Sequence, residues 1–350
     1  MIVDDSKSIR KFLQKIIESY PQFEVVFQAN NANEALNYLR TDKPDVITLD
    51  INMPGMDGVS LLKKYMPKTP IPTIMITSLN KSDSKQVLEA LEYGAFDYIQ
   101  KPHINNINTM KETLKRTIIA AFQTKNNITN INTTISSIDK INTPSNQLNR
   151  HIIAIGASTG GTEAIKDVLS RLPINIPPIV IVQHIPAEFS ASFANRLDEM
   201  CPFQVLEAKN GDMLKAGHVF IAPGGRQMKL ETKNGKTLIK ITDDNAVNRF
   251  KPSVDYLFSS LTKLNCQNII GILMTGMGSD GAQGLLELKK MGATTWTQNE
   301  QSCIVFGMPR VAIEIGASQK TIALENISRE IIRLLNSKGQ HENLRMEARL

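Results

Sequence analysis

Cysteines, long apolar runs and a basic N-terminal segment are scarce or missing in this sequence. Only Cys201, Cys266 and Cys303 occur in 350 residues, and their wide spacing fits neither a disulfide framework nor a zinc site. The longest apolar runs, Ile179–Val182 and Ile269–Met274, fall far short of the about 20 residues that cross a bilayer. Acidic residues stand where a signal peptide would carry basic ones. We therefore expect a soluble, cytoplasmic protein with no membrane insertion.

A strong charge of one sign is also absent, which matters for nucleic-acid binding. The chain holds 40 Lys+Arg and 34 Asp+Glu, a formal net charge of +6. Residues 1–120 carry 15 basic and 14 acidic side chains, residues 121–150 carry 3 and 1, and the remaining residues carry 22 and 19. Because neither half concentrates positive charge, we expect no nucleic-acid partner.

Length and residue pattern predict two α/β domains. At about 150 residues per domain, a chain of this length makes two. Strand and helix patterns alternate over residues 1–122 and again over residues 151–336, which predicts two parallel sheets covered by helices. Asn, Thr and Ser dominate residues 123–150, so we interpret this segment as a linker. We expect residues 337–350 to be a polar tail.

Short apolar runs and helical spacing assign the individual elements. The strands predicted in the first half are Ile2-Val3, Phe23–Phe27, Val46–Leu49, Thr73–Ile76 and Phe96–Ile99. The helices predicted between and after them are Ile9–Glu18, Ala32–Arg40, Gly58–Tyr65, Ser84–Tyr93 and Ile107–Phe122. The second half is predicted to contain strands Ile152–Ile155, Ile179–Gln183, Val219–Ala222 and Ile269–Met274, with a hairpin across Met228–Ile241.

Polar side chains follow the predicted strands of the first half. Asp4 and Asp5 close the first strand, Asp50 the third and Thr77 the fourth, while Lys101 follows the fifth. Because the carboxyl ends of parallel strands share one edge, these side chains should converge. Three carboxylates in one crevice favour a hard cation such as Mg²⁺, beside which Asp50 would accept a phosphoryl group. The alternative interpretation makes Asp4 and Asp5 helix caps and Asp50 a loop residue.

Residues 1–122 resemble the receiver domain of two-component response regulators, a flavodoxin-like fold. The resemblance is carried by the acid pair, the run Leu49–Gly58, Thr77-Ser78 and Lys101-Pro102. It implies that a partner histidine kinase phosphorylates Asp50, and that Thr77 and Lys101 contact the phosphoryl oxygens. Family members usually carry several more residues before the acid pair, so we interpret the first strand as clipped or the start of the sequence as misassigned.

The same resemblance implies a set of metal ligands and a switch residue. Mg²⁺ would be bound by Asp5, Asp50 and the backbone carbonyl of Asn52, with Asp4 acting through water. Tyr98 stands where the family has its switch aromatic, which turns inward as Thr77 follows the phosphate.

A serine on a glycine-rich turn is the prominent motif of the second half. Gly156-x-Ser158-x-Gly160 leads from a predicted buried strand into a helix, as in a nucleophile elbow. Glycine-rich turns of this kind also bind phosphates. A dinucleotide site would need an acid at the end of the next strand, where this chain has Gln183-His184. His184 at this position therefore favours a general base for the serine over a dinucleotide site.

A third strand end would complete a catalytic triad. Asp280 follows the strand Ile269–Met274, so Ser158, His184 and Asp280 should meet at one edge of the sheet. In that arrangement His184 would take the proton of Ser158, and Asp280 would orient the imidazole. Taken singly, Ser158 and Asp280 are also compatible with helix caps, and His184 with an ordinary loop histidine.

Residues 151–335 resemble the catalytic domain of the chemotaxis protein-glutamate methylesterase (CheB) family. The matching segments are Gly156–Gly161, Gln183–Pro186, Ala222–Gly225, Pro252–Asp255, Thr275–Gly281, Gln298–Cys303 and Gly307–Pro309. The resemblance implies hydrolysis of glutamate γ-methyl esters, and deamidation of glutamines, on the cytoplasmic helices of chemoreceptors. It makes Ser158 the nucleophile, His184 the base and Asp280 its orienter, with Thr159 and Met277 in the pocket.

The resemblance also implies a phosphodonor, the chemotaxis histidine kinase, and no cofactor at the esterase site. Two positions depart from the family pattern, since many relatives have His where this chain has Phe250, and often His in place of Gln227. Three rival functions remain open from the sequence: a DNA-binding response regulator, a module that sequesters receptors without catalysis, and an esterase or deamidase acting outside chemotaxis.

Overall fold

The computed structural model describes residues 1–78, 83–101, 107–124, 141, 144–264, 266 and 268–347. The chain forms two compact units, Met1–Ile131 and Asn132–Leu350. The predicted linker, residues 123–150, lies mostly outside the described residues, and its boundaries stay a prediction. Within the described residues, no helix is both long and apolar enough to cross a membrane.

The first unit is a parallel five-stranded sheet with alternating helices. Its strands are β1 (Ile2–Val3), β2 (Gln28–Ala29), β3 (Ile47–Asp50), β4 (Thr73–Thr77) and β5 (Asp97–Gln100). Its helices are α1 (Lys7–Ile17), α2 (Ala32–Thr41), α3 (Gly58–Tyr65), α4 (Asp83–Glu92) and α5 (Ile107–Gln123). The strand order β2-β1-β3-β4-β5 is that of the flavodoxin-like folds, which confirms the predicted fold class for this half.

The second predicted strand, Phe23–Phe27, is wrong. Because β1 spans only Ile2–Val3, it offers a partner to just two residues, and Gln28–Ala29 take that place in register. The Phe27 ring instead stacks on Tyr38 of α2, with centroids 4.3 Å apart and planes 8° apart. Apolar residues in this segment therefore pack against a helix or face solvent rather than extend the sheet.

The second unit contains a seven-stranded parallel sheet and a hairpin. The strands are β6 (His151–Ala157), β7 (Ile179–Gln183), β8 (Gln204–Glu207), β9 (His218–Ile221), β10 (Gln227–Lys233), β11 (Lys236–Thr242), β12 (Asn268–Leu273), β13 (Thr294–Gln298) and β14 (Lys320–Ile322). The sheet order is β14-β13-β12-β6-β7-β9-β8, and β10 pairs with β11. This confirms a parallel-sheet α/β domain.

Helices cover both faces of this sheet and complete its core. They are α6 (Ser145–Leu148), α7 (Gly161–Ser170), α8 (Ala187–Met200), α9 (Val254–Leu261), α10 (Ala282–Lys290), α11 (Met308–Glu314) and α12 (Leu324–Glu347). On one face Leu257 and Phe258 of α9 pack with Leu285 of α10 in a fully buried cluster. The last helix continues through most of the range expected to be a polar tail.

The three central strands bring the predicted catalytic residues to one edge. The order β12-β6-β7 is contiguous in the sheet. Ser158 follows β6, His184 follows β7 and Asp280 lies beyond β12. Because the three strands are parallel neighbours, their carboxyl ends lie side by side, and the residues that follow them meet in space.

Candidate functional site

Ser158 stands on a turn that only glycine can close. The turn passes from β6 into α7 through Gly160, whose φ is 75°. A Cβ on Gly160 would lie 2.5 Å from the Cβ of Ile304, so a side chain there would meet both strain and a collision. Ser158 is fastened to the next strand end, since its N–H donates to the carbonyl of Thr275 at 3.0 Å.

His184 links the serine to the acid. Its Nδ1 lies 3.0 Å from Ser158 Oγ, and its Nε2 lies 2.8 Å from Asp280 Oδ2. For Nδ1 to accept the serine proton, Nε2 must carry the ring hydrogen and donate it to the carboxylate, which assigns the tautomer. The His184 N–H also donates to the carbonyl of Ala157 at 3.1 Å, which ties the end of β7 to β6.

Asp280 is a buried carboxylate that accepts several hydrogen bonds. Oδ1 accepts from Ser253 Oγ at 2.7 Å and from Asn248 Nδ2 at 2.8 Å. Oδ2 accepts from His184 and from the Val254 N–H at 2.7 Å. Burial alone would raise the pKa of Asp280, but the hydrogen bonds from His184, Asn248 and Ser253 outweigh it and hold that pKa below its usual range. The acid is therefore ionised at neutral pH.

This geometry suits acyl transfer. A hydroxyl, an imidazole that faces it and a buried carboxylate behind the imidazole are the parts of a serine nucleophile with its base. The structure brings together all three residues that the sequence singles out. Their catalytic roles stay a prediction that rests on this arrangement.

Thr159 and Met277, the predicted pocket residues, lie close to the serine. Thr159 is adjacent to it in the chain and half-buried, and its carbonyl accepts from Thr275 Oγ1 at 3.0 Å. Met277 is half-buried and follows Gly276, where a Cβ would lie 2.7 Å from that of Ser158. Both residues therefore belong to the backbone that packs around the serine.

Sequence reasoning missed the side chains that hold the triad in place. Asn248 and Ser253 both donate to Asp280. Gln183 is buried, and its Nε2 donates to the carbonyl of Ser158 at 2.9 Å. Ser253 carried one available signal, because Pro252-Ser253 before an apolar run is typical of a helix N-cap, and its Oγ does accept from the Tyr256 N–H at the start of α9.

The first unit gathers a second group of side chains at its own strand ends. Ligand atoms of Asp4, Asp5 and Asp50 all lie within 4.8 Å of one another, with Asp4 and Asp50 buried and Asp5 exposed. Lys101 Nζ lies 2.7 Å from Asp50 Oδ2 and 3.1 Å from Asp4 Oδ2. The predicted convergence of the acids and the lysine is confirmed by these distances.

The electrostatics of this group favour a bound cation. Burial raises the pKa of Asp50 to about 6, and the hydrogen bond from Lys101 only partly opposes it. Burial also raises the pKa of Asp4, and the nearby Lys101 ammonium only partly opposes this shift. Two buried carboxylates against a single ammonium leave negative charge that a divalent ion with oxygen ligands would balance. The donor set therefore fits a divalent metal.

The switch residues lie at the neighbouring strand ends. Thr77 Oγ1 donates to Asp83 Oδ2 at 3.1 Å, and Asn52 Nδ2 donates to Asp83 Oδ1 at 3.2 Å. Asp83, which is buried at the start of α4, was not among the predicted site residues. Tyr98 is half-buried on β5 and pairs in register with Met75 of β4. Pro102, beside Lys101, lies outside the described residues.

These two sites on these two folds define a class: a response regulator whose second domain is a hydrolase. The family model described as the response regulator receiver domain matches residues 1–115, and that described as CheB methylesterase matches residues 153–331. The chain belongs to the CheB methylesterase family.

Relatives match over nearly the whole length of the chain. "Protein-glutamate methylesterase/protein-glutamine glutaminase 3" of Rhodopseudomonas palustris (strain BisB18) is 42% identical, covering 95% of this chain and 94% of that protein. A protein with the same name, numbered 2, from Vibrio vulnificus (strain YJ016) is 42% identical, covering 96% and 98%. The crystal structure of the Thermotoga maritima CheB methylesterase catalytic domain is 36% identical with a TM-score of 0.52, covering 53% of this chain and 98% of that one. The resemblances drawn from the sequence are confirmed in both halves.

Proposed function

We propose that this chain hydrolyses glutamate γ-methyl esters on chemoreceptors, and deamidates glutamines there, under control of phosphorylation in its first domain. The observation that carries the proposal is the His184 imidazole, which lies between Ser158 Oγ and the buried Asp280 carboxylate. The names of the relatives supply the substrate class and both reactions.

In the proposed mechanism Ser158 Oγ attacks the ester carbonyl carbon and its proton passes to His184 Nδ1. The tetrahedral intermediate collapses, and methanol leaves with the proton from Nδ1. Water then attacks the glutamyl-enzyme, again through Nδ1, and releases glutamate and the serine hydroxyl. With glutamine as substrate, ammonia leaves in place of methanol. Asp280 stays ionised throughout and keeps the Nε2 hydrogen directed at itself.

The oxyanion of the intermediate needs donors close to Ser158. We assign this role to backbone groups around Thr159 and Met277, because both residues belong to the chain segments that pack against the serine. Gly276 supports the assignment, since a Cβ there would lie 2.7 Å from the Cβ of Ser158 and 3.2 Å from its backbone nitrogen, so only glycine lets the backbone approach this closely.

In the first domain, Asp50 is the proposed phosphoryl acceptor. A chemotaxis histidine kinase is the proposed donor, and Thr77, Tyr98 and Lys101 would respond to the phosphate. Lys101 already contacts Asp50 Oδ2. Mg²⁺ would neutralise the charge of the incoming phosphoryl oxygens when bound.

The metal would be held by carboxylates and one carbonyl. Asp5, Asp50 and the Asn52 carbonyl are the proposed ligands, with Asp4 acting through water; the three acids lie within mutual reach. No cofactor is proposed at the esterase site, because the serine, imidazole and carboxylate supply the nucleophile and the proton transfers themselves. A cytoplasmic location follows from the proposed substrate, the cytoplasmic helices of chemoreceptors.

The test measures methanol release from receptor membranes that carry methyl esters, and ammonia release from receptors that carry glutamine. We expect Ser158→Ala to lower both rates by about 10⁴-fold or more, since the nucleophile is lost. Ser337→Ala, an exposed serine on α12, is the matched control and should retain full activity. Methanol release that survives Ser158→Ala would refute the proposed mechanism.

A further inference from the structure

Residues 245–253 form a loop that touches two members of the triad; we call it the 245–253 loop. Asn248 and Arg249 both have positive φ, 53° and 72°, which non-glycine residues rarely adopt. Val247 and Phe250 close this turn with a pair of backbone hydrogen bonds of 3.1 and 2.8 Å. Positive φ at both central residues is what a tight two-residue turn of type I′ requires, so Asn248 and Arg249 form the tip of a small hairpin within the loop.

The Phe250 ring lies flat against the catalytic imidazole. The ring centroids of Phe250 and His184 are 3.6 Å apart, and their planes differ by 7°. A parallel ring at this distance occupies one face of the imidazole, so the imidazole cannot turn about its Cβ–Cγ bond without colliding with it. The orientation that directs Nδ1 at Ser158 and Nε2 at Asp280 is therefore fixed from one side.

Asn248 acts on the acid from the same loop. Its Nδ2 donates to Asp280 Oδ1 at 2.8 Å and to Asp255 Oδ2 at 2.6 Å. Asp255 is itself buried, and its Oδ1 accepts from the Gly284 N–H at 2.6 Å. One amide thus separates two buried carboxylates and fixes the position of the catalytic one.

Gln227 anchors the loop at both ends. It is fully buried on β10. Its Nε2 donates to the carbonyls of Asn245 and Phe250 at 3.1 and 3.2 Å, and its Oε1 accepts from the Ser253 N–H at 2.9 Å. A neutral histidine has one donor and one acceptor, so it could not make all three bonds. The amide of Gln227 therefore makes three bonds that a histidine at this position could not make.

We propose that Phe250, held by Gln227, is a positioning residue that keeps the His184 imidazole aligned between Ser158 and Asp280. The inference rests on the proposed function, because kcat and KM are measured with the proposed methyl-ester substrate. The two residues act together: Gln227 fixes the backbone of the loop, and Phe250 fixes the plane of the imidazole.

A competing role for Phe250 is contact with substrate, because it lines a cleft beside His184. The same cleft is lined by Ile185, Pro186 and the neighbouring loop residues Arg249 to Pro252. A substrate contact would change KM, whereas imidazole alignment acts on the chemical step and changes kcat. The split between the two constants therefore decides between the roles.

The experiment uses the full chain with a phosphodonor and compares Phe250→Leu, which removes the flat ring, with Phe250→Tyr, which keeps it. Methanol release gives kcat and KM, and the rate at which a fluorophosphonate labels Ser158 gives nucleophile activation without receptor. Ile174→Ala, which alters an exposed side chain on the same unit, is the control. Thermal unfolding shows whether each variant is folded.

For Phe250→Leu we expect kcat and the labelling rate to fall together by about 10- to 100-fold at nearly constant KM. Phe250→Tyr should stay within about two-fold of the wild type, because the stacked ring is retained. Gln227→Met, which keeps the volume and removes all three hydrogen bonds, should lower kcat in the same direction.

Two results would overturn the proposal: a raised KM at unchanged kcat in Phe250→Leu, or a wild-type labelling rate in that variant. If the wild type labels at Ser158 but releases no methanol, the proposed substrate is wrong. The labelling rates of the variants would still decide the role of Phe250.

Discussion

At the scale of single residues, the behaviour of each site depends on how a buried carboxylate is compensated. Asp280 is surrounded by donors, and its pKa lies below the usual range. Asp50 is equally buried but has one ammonium for two acids, and its pKa rises to about 6. The first carboxylate is thus built to stay charged, and the second to accept a cation or a phosphoryl group.

The substitution Asp280→Asn tests whether the ionised Asp280 carboxylate sets the tautomer of His184. An amide has only one acceptor oxygen, so its NH2 group must face a donor, either Asn248 Nδ2 in the place of Oδ1 or the Val254 N–H in the place of Oδ2. In the place of Oδ2 the NH2 group would also donate to His184 Nε2. The imidazole would then favour the other tautomer, with Nδ1 protonated and unable to take the serine proton. We expect kcat to fall by about 10⁴-fold. A fall of less than ten-fold in methanol release, with the fold intact by circular dichroism, would argue against the assigned role.

The raised pKa of Asp50 predicts that the stability of the metal-free protein depends on pH. Because the folded-state pKa of Asp50 lies above its ordinary value of 3.8, the folded chain keeps a proton that the unfolded chain releases. This stabilisation is present at pH below about 4 and is lost as the pH rises through about 6. Asp50→Asn, which cannot ionise, should therefore stabilise the first unit more at pH 8 than at pH 5.

Thermal unfolding in EDTA checks this prediction, with Asp57→Asn as a control, since that half-buried acid caps α3. The control should show no comparable change between the two pH values. A gain for Asp50→Asn that is larger at pH 5 would show that the folded-state pKa is not raised.

At the scale of elements, the sequence predicts the strands and turns that local residue pattern determines. It fails for strands whose extent depends on a partner strand distant in the sequence. The hairpin between β10 and β11 turns at Asn234-Gly235, and both residues have the positive φ that a tight two-residue turn requires. Strand Phe23–Phe27 fails because its extent depends on β1, which offers two residues for pairing. The edge strand β8 and the threonine-rich β13 have no clear period and were not predicted.

The same distinction applies to the active site. Ser158, His184 and Asp280 are predictable because each follows a strand, and strand order brings the three strand ends together. The contributions of Asn248, Phe250 and Gln227 depend on an irregular loop, whose φ values no periodicity encodes.

The turn after β6 gives a prediction that separates strain from collision. Gly160 and Gly217 share a φ of 75°, but a Cβ on Gly160 would meet Ile304, whereas nothing lies within 4 Å of one on Gly217. Gly217→Ala should cost about 1 kcal/mol of unfolding free energy, from backbone strain alone. Gly160→Ala should cost about 2–4 kcal/mol and reduce esterase activity. Equal losses in urea unfolding would mean that the contact with Ile304 contributes nothing.

At the scale of the whole molecule, a receiver and a hydrolase occupy one chain, and the net charge of +6 carries little information about partners. It is spread over both halves, and the family to which the chain belongs is one of methylesterases rather than DNA-binding regulators. We therefore expect phosphorylation of Asp50 in the first domain to control hydrolysis at Ser158 in the second.

That coupling is tested most directly by methanol release from methylated receptor membranes, measured with and without a small phosphodonor and Mg²⁺. We expect the phosphodonor to raise the rate of the wild type, to leave Asp50→Asn at its basal rate and to produce no activity in Ser158→Ala. Equal stimulation of the wild type and Asp50→Asn, or methanol release without Ser158, would contradict this expectation.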